Sequence, residues 1–228
     1  VLRFLEYPDG HEPPERIERL VAELLPEARK LAQATGCYRR LSVDRAADIA
    51  LHPVEADALV IGLVTAGKAI DKRVAELSQQ GQVTRALILD AAGSAAAEEA
   101  ADLLGSQIAS SRSTAVAHGT GQAPLDEERP AALPCRLSPG YGRWDISAQH
   151  RLFELLPHDE LGVCLLPSCL MVPEKSISFA MWLGARGKVA QGLAGCSRCT
   201  LAHCRYRRAP QKTRSAVKTS TPNTMEAP

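Results

Sequence analysis

ALVIGLVT, residues 58–65, carries a single polar side chain, on Thr65 at its end. A continuous apolar run this short has the length of a strand rather than a helix, and it buries both of its faces. We therefore expect a central strand over 58–65. The chain then turns at Thr65-Ala66-Gly67, and Ile70, Val74 and Leu77 recur at helical spacing. Gly81 separates that helix from a longer helical stretch at about 83–108, rich in small residues (AAGSAAAEEAAD). Small residues such as Ala91 and Ala95 let a second backbone or a flat ligand come close.

Working outward, residues 14–25 (PERIERLVAELL) predict a helix that starts on Pro14 and is ended or kinked by Pro26. A strand is expected near 38–43. Residues 109–134 show no period and read as a surface loop. CRLSPGYGRWD is turn chemistry, with Arg136 expected in the turn, and Ser147 is a good N-cap for a short helix with Leu152, Phe153 and Leu156. Two strands come next, at 163–166 and 176–183, with Pro173-Glu174-Lys175 as a turn between them. In the second, Ile177, Phe179, Met181 and Leu183 share one face. Helices and strands without strict alternation give an α+β class, with helices packed on a mostly antiparallel, twisted sheet. We divide the chain into a main domain at 1–190, a Cys-rich segment at 191–208 and a disordered tail at 209–228, which has almost no apolar content.

Composition excludes some classes. Lys and Arg number 27 against 26 Asp and Glu, a net charge of +1, which argues against a dedicated nucleic-acid binder. No apolar run reaches the length of a membrane span, and the start VLRFLEYPDG lacks a signal peptide, so a cytoplasmic location is expected. No Walker-type or dinucleotide Gly-rich loop is present, and no histidine has a persuasive catalytic spacing.

Seven cysteines are present, three of them crowded as Cys196-x-x-Cys199 and Cys204. Two thiolates three residues apart can hold one ion from a tight loop, so we expect these three to bind zinc or an iron–sulfur cluster. The fourth ligand stays open among His203, Cys169, Cys164 and Cys135. Arginines and lysines from Arg205 to Lys218 come after the cluster. They make a basic end that could attract an acidic electron donor such as a flavodoxin or ferredoxin.

Several blocks, in order, resemble the S-adenosylmethionine-binding activation domain of vitamin B12-dependent methionine synthase in a short stand-alone form. VLRFLEY resembles its Leu-Arg-aromatic-Leu opening, and ALVIGLVTAGKAID its buried strand and turn. RALILDAAGSAAAEEAAD resembles its central helix, CRLSPGY its Arg-x-x-Pro-Gly-Tyr motif, and LPSCLMVPEKSIS its Glu-Ser-x-x-Met-x-Pro-x-x-Ser-x-Ser block. Pro167 stands where the last block has an acidic residue, and Ser94 where the family has aspartate; Glu98 matches the family's glutamate.

The resemblance implies that Arg136, Pro139, Gly140 and Tyr141 bind S-adenosylmethionine, with Glu98 and Ser94 approaching ligand or corrinoid from one face of the helix. Arg136 would grip the ligand carboxylate with a guanidinium fork. Ser168, Met171, Ser176 and Ser178 would line the opposite wall. The chain would then be an accessory domain or subunit of a cobalamin-dependent methionine synthase, with cobalamin carried by a corrinoid-binding methyltransferase partner. A different class stays open: a metal- or Fe–S-bearing interaction module, or a structural subunit of a split methionine synthase with a vestigial pocket.

Overall fold

The computed structural model describes residues 1–7, 12–110, 117–119, 136–141 and 144–184. Strand β1 (Thr35–Leu41) and strand β2 (Ala58–Thr65) flank the first crossover, which contains a 3-10 segment at Val43–Ile49. Three helices belong to this half: α1 (Glu15–Leu31), α2 (Ala69–Gln79) and α3 (Val83–Ser110). Strands β3 (Ala117–Gly119) and β4 (Arg136–Leu137) precede α4 (Ala148–Leu155). A hairpin of β5 (Cys164–Leu165) and β6 (Met171–Val172) leads into β7 (Ser176–Leu183).

Among the described residues the main sheet has five strands in the order β3-β1-β2-β7-β4, every neighbouring pair antiparallel. The fold is α+β. The apolar run 58–65 lies in the middle of the sheet, paired to β1 on one side and β7 on the other. That position explains its lack of alternation, because layers cover both faces. On one face Tyr38, Val60, Val64, Phe179 and Met181 meet Ala101, Leu104 and Ile108 of α3. On the other, Leu59, Ile61, Leu63, Ala180 and Trp182 meet Trp144, Leu152, Phe153 and Leu156 around α4. The N-terminal half of α3 leaves the sheet to pack on α1 and α2 through Ala28, Ile70, Leu77, Leu89 and Ala92.

Close approach depends on glycine at several places, two of them next to the α3 face. A Cβ on Gly62 would sit 2.4 Å from the Phe179 ring, so the bare backbone of β2 is what lets that ring lie beside it. A Cβ on Gly93 would sit 2.8 Å from Ile70 and 3.1 Å from the stem of Lys175. That stem runs over α3 to place Nζ 2.5 Å from Asp90 Oδ1.

Several expectations need correction. Pro26 does not end α1, which continues to Leu31. Buried Ala28 and the ion pair of Glu27 with Arg73 hold the last turns in place despite the missing N–H. The loop read at 109–134 contains β3, which adds to the free edge of β1. Arg136 is not in a turn but on β4, opposite Met181, and the turn begins after it. Ser147 makes no side-chain cap; the carboxylate of Asp145 accepts the Ser147 N–H instead, at 2.8 Å. The strand expected at 176–183 is β7, with Ile177, Phe179, Met181 and Leu183 sharing the α3 face as read from the sequence, and Ala180 and Trp182 are buried as well because the opposite face is also covered. On α3, Ala91 is buried as expected while Ala95 is only half-buried.

Candidate functional site

The site is built where β4 meets β7 under α3. Pairing of Arg136 with Met181 puts the Arg136 side chain on the α3 face of the sheet. There Arg136 Nη2 donates to Asp102 Oδ1 at 2.6 Å and to Glu98 Oε2 at 3.1 Å. The guanidinium carbon lies 5.6 Å from the centroid of the Phe179 ring, a cation–π distance. Burial is graded across this triad: the side chain of Asp102 is 5% exposed, that of Arg136 9% and that of Glu98 25%. Charges held this far from water need one another: losing Arg136 would leave two neighbouring carboxylates without the cation between them, and losing Asp102 would take away the shorter of the two carboxylate contacts of Arg136.

Glu98 and Asp102 are one turn apart, which is why one guanidinium reaches both. Ser94 lies a further turn toward the N-terminus, but its hydroxyl donates to the Asp90 carbonyl of its own helix at 3.2 Å. Ser94 is thus outside the triad. Asp102 is the residue missed from sequence, where it reads as part of a solvated acidic face with Glu98 and Glu99. The available signal was its spacing of four from Glu98.

After β4 the chain turns through Ser138, Pro139, Gly140 and Tyr141. The Tyr141 N–H donates to the Ser138 carbonyl at 3.2 Å, and Gly140 takes φ +88°. Proline second and a positive-φ glycine third are what such a turn requires. A Cβ on Gly140 would also sit 3.0 Å from Ile146 Cδ1. Two hydrogen bonds lock the turn to the rest of the fold. Gly140 N–H donates to the Trp144 carbonyl at 2.8 Å, and the Trp144 indole donates to the Ile49 carbonyl at 2.7 Å. Tyr141 is 46% exposed beside it.

On the other face of β7, Ser178 is buried, and its Oγ has no hydrogen-bond partner among the described residues. A buried hydroxyl without a partner is costly, and the described residues show nothing that satisfies this one. Ser178 is two residues from Ala180, which pairs with Leu137, so the orphan sits at the end of the sheet where the Pro139–Gly140 turn begins. The other wall candidates are placed differently. Ser176 Oγ is 2.7 Å from the Pro173 carbonyl and 2.9 Å from Thr65 Oγ1, a closed network holding β7 to β2. Met171 packs on the α4-side core and Ser168 is exposed.

Cys196, Cys199 and Cys204, the expected metal ligands, lie outside the described residues, as do the segments 191–208 and 209–228. Among the described residues no group of three or more His, Cys, Asp or Glu is placed to hold a metal ion. No described helix is long and apolar enough to cross a membrane.

This arrangement of helices and sheet is a known one. The crystal structure of the MetH reactivation domain bound to AdoHcy matches with a TM-score of 0.59, covering 81% of this chain and 70% of that one at 17% sequence identity. The chain has the fold of that reactivation domain, the one the ordered motifs resemble. No family model matches the sequence, and no curated protein matches it.

Proposed function

We propose that this chain binds S-adenosylmethionine at the corner formed by Arg136, the Ser138–Tyr141 turn and the α3 face. It would serve there as a reactivation domain for a cytoplasmic, cobalamin-dependent methionine synthase. The observation that carries the reading is the placement of Arg136. It is fixed on an edge strand between two acidic groups and the Phe179 ring, immediately before a Pro-Gly turn. The likeness of fold to a domain with AdoHcy bound supports it.

The residues present fit such a ligand in charge and in polarity. S-adenosylmethionine carries a sulfonium, an ammonium and one carboxylate, an excess of one positive charge. The triad of Arg136, Glu98 and Asp102 carries an excess of one negative charge. The backbone groups of the Ser138–Tyr141 turn offer neutral hydrogen bonds beside Arg136. Binding of the ligand carboxylate to Arg136 exchanges one carboxylate for another. Glu98, more exposed and at the longer distance, is the partner that yields; Asp102 stays and keeps the guanidinium in place. Glu98, so released, faces the ligand's positive groups.

When bound, S-adenosylmethionine supplies an electrophilic methyl group. This chain's task is positioning, with Tyr141 at the open side of the turn, toward a corrinoid on the partner domain. No general base is needed for that task. The test mixes the purified chain with a cob(II)alamin-loaded methyltransferase partner, a reductant and methyl-labelled S-adenosylmethionine. Label should appear on the corrinoid with the wild-type chain, and at a rate at least about tenfold lower with Arg136→Lys, which keeps charge but not the fork. Equal transfer with and without the chain would remove the proposal.

A further inference from the structure

The loop joining β5 to β6 carries a feature that S-adenosylmethionine binding does not use. Cys169 N–H donates to the Leu166 carbonyl at 2.8 Å, and Leu166 N–H donates to the Leu170 carbonyl at 2.8 Å. Between these bonds Cys169 takes φ +63°, the left-handed conformation that such hairpin loops normally assign to glycine. A side chain at this position is strained, and here it has a destination. Cys169 Sγ lies 3.4 Å from Nε2 of His150, which reaches it from α4, nineteen residues earlier in the chain. With the ring proton on Nδ1, Nε2 is the acceptor and the thiol the donor.

The other two described cysteines are free and have no such partner imidazole among the hydrogen bonds of the structure. Cys164, on β5 of the same hairpin, is exposed, whereas Cys37, on β1, is buried. The three cysteines therefore differ in two variables: exposure, and an imidazole within reach of the sulfur. Leu166 and Leu170, on either side of Cys169, are exposed at 39% and 64%. They put exposed apolar surface on the same short loop as the sulfur.

We propose that Cys169 and His150 form a reactive thiol–imidazole site, a modification site for small disulfides with apolar or aromatic substituents. In the step, the Cys169 sulfur attacks one sulfur of the disulfide as its proton passes to His150 Nε2. The disulfide bond breaks and a Cys169 mixed disulfide forms. The departing sulfur leaves with the bonding electron pair and takes the proton from the imidazolium. Cys169 is oxidised and the released thiol is the reduced product, so the incoming disulfide is the only oxidant required.

The site is tested on the full chain, reduced and then freed of reductant, with dithiodipyridine as the probe and peptide mapping by mass spectrometry to time each cysteine separately. Cys169 should be modified at least about tenfold faster than Cys164. His150→Gln, which keeps the size and polarity of the side chain but not its basicity, should bring Cys169 down to the rate of Cys164 and leave Cys164 unchanged. Cys169→Ser should remove the fast phase altogether. Circular dichroism of the variants checks that each is folded. Equal rates for Cys169 and Cys164 in the wild-type chain, or a Cys169 rate indifferent to His150→Gln, would overturn the proposal. No nucleoside enters this measurement, so its outcome is independent of the function proposed for Arg136.

Discussion

Asp102 Oδ1 receives a hydrogen bond from Arg136 Nη2 across 2.6 Å, and neither side chain exposes a tenth of its surface. This contact ties the edge strand β4 to the middle of α3. It makes Arg136 a structural residue as well as a candidate ligand-binding one, and it ranks the two acidic groups of the site.

Asp102→Ala should lower unfolding free energy by about 1.5–3 kcal/mol in urea titrations, because it removes the shorter and more buried of the two carboxylate contacts and leaves Arg136 with Glu98 alone in the triad. Glu98→Ala should cost at most about 1 kcal/mol, since Glu98 is the more exposed partner at the longer distance. Equal costs would mean that the grading of the triad by burial is wrong.

Gly62→Ala should be destabilising out of proportion to a single methyl group. The added Cβ meets the Phe179 ring at 2.4 Å, on a central strand where neither backbone nor ring has room to retreat. We expect a loss of about 2–3 kcal/mol, read as a lower thermal midpoint. An unchanged midpoint would show that Phe179 can swing aside, and with it the surface on which Arg136 rests.

The small residues of α3 separate by their contacts. Ala101 is fully buried against the sheet, so Ala101→Leu should cost about 1–3 kcal/mol by overpacking. Ala95 is half-buried, and Ala95→Leu should cost less than half of that. Differential scanning calorimetry of the two variants decides the order.

Burial pushes the Cys37 thiol up to about 12, and the nearby Glu160 charge acts in the same direction. In the unfolded chain the thiol ionises near its ordinary value of 9.0 while in the folded chain it does not. Its contribution to stability is therefore complete below pH 9.0 and is lost as pH rises from there toward about 12. Cys37→Ala should flatten the alkaline limb of a stability–pH profile relative to wild type. A limb of unchanged slope would contradict the assignment.

How much of this fold is legible in the sequence depends on how local each signal is. The apolar run 58–65 and the long helix carry their own evidence, and β2 and α3 lie where the patterns place them. Pro26 is misjudged because the packing of Ala28 and the Glu27–Arg73 pair come from other elements. Strand β4 is two residues long and has no period to detect; only its pairing with β7 takes Arg136 out of the turn. In the candidate site the resemblance named Arg136 and Glu98, and the structure brings them together. Asp102 gives no local sign of burial, because the cation beside it lies thirty-four residues away. Ser94, named on the same helix face, bonds to its own backbone instead.

The central claim is tested most directly by isothermal titration of the purified chain with S-adenosylmethionine, beside Arg136→Lys and Glu98→Gln. We expect saturable one-to-one binding by the wild-type chain. Affinity should fall at least about tenfold in Arg136→Lys, where the fork is lost but Asp102 keeps a cationic partner. It should fall less in Glu98→Gln, where the yielding partner of Arg136 is removed but so is a charge facing the ligand. No saturable heat from a chain shown to be folded, or an affinity indifferent to Arg136→Lys, would contradict the account.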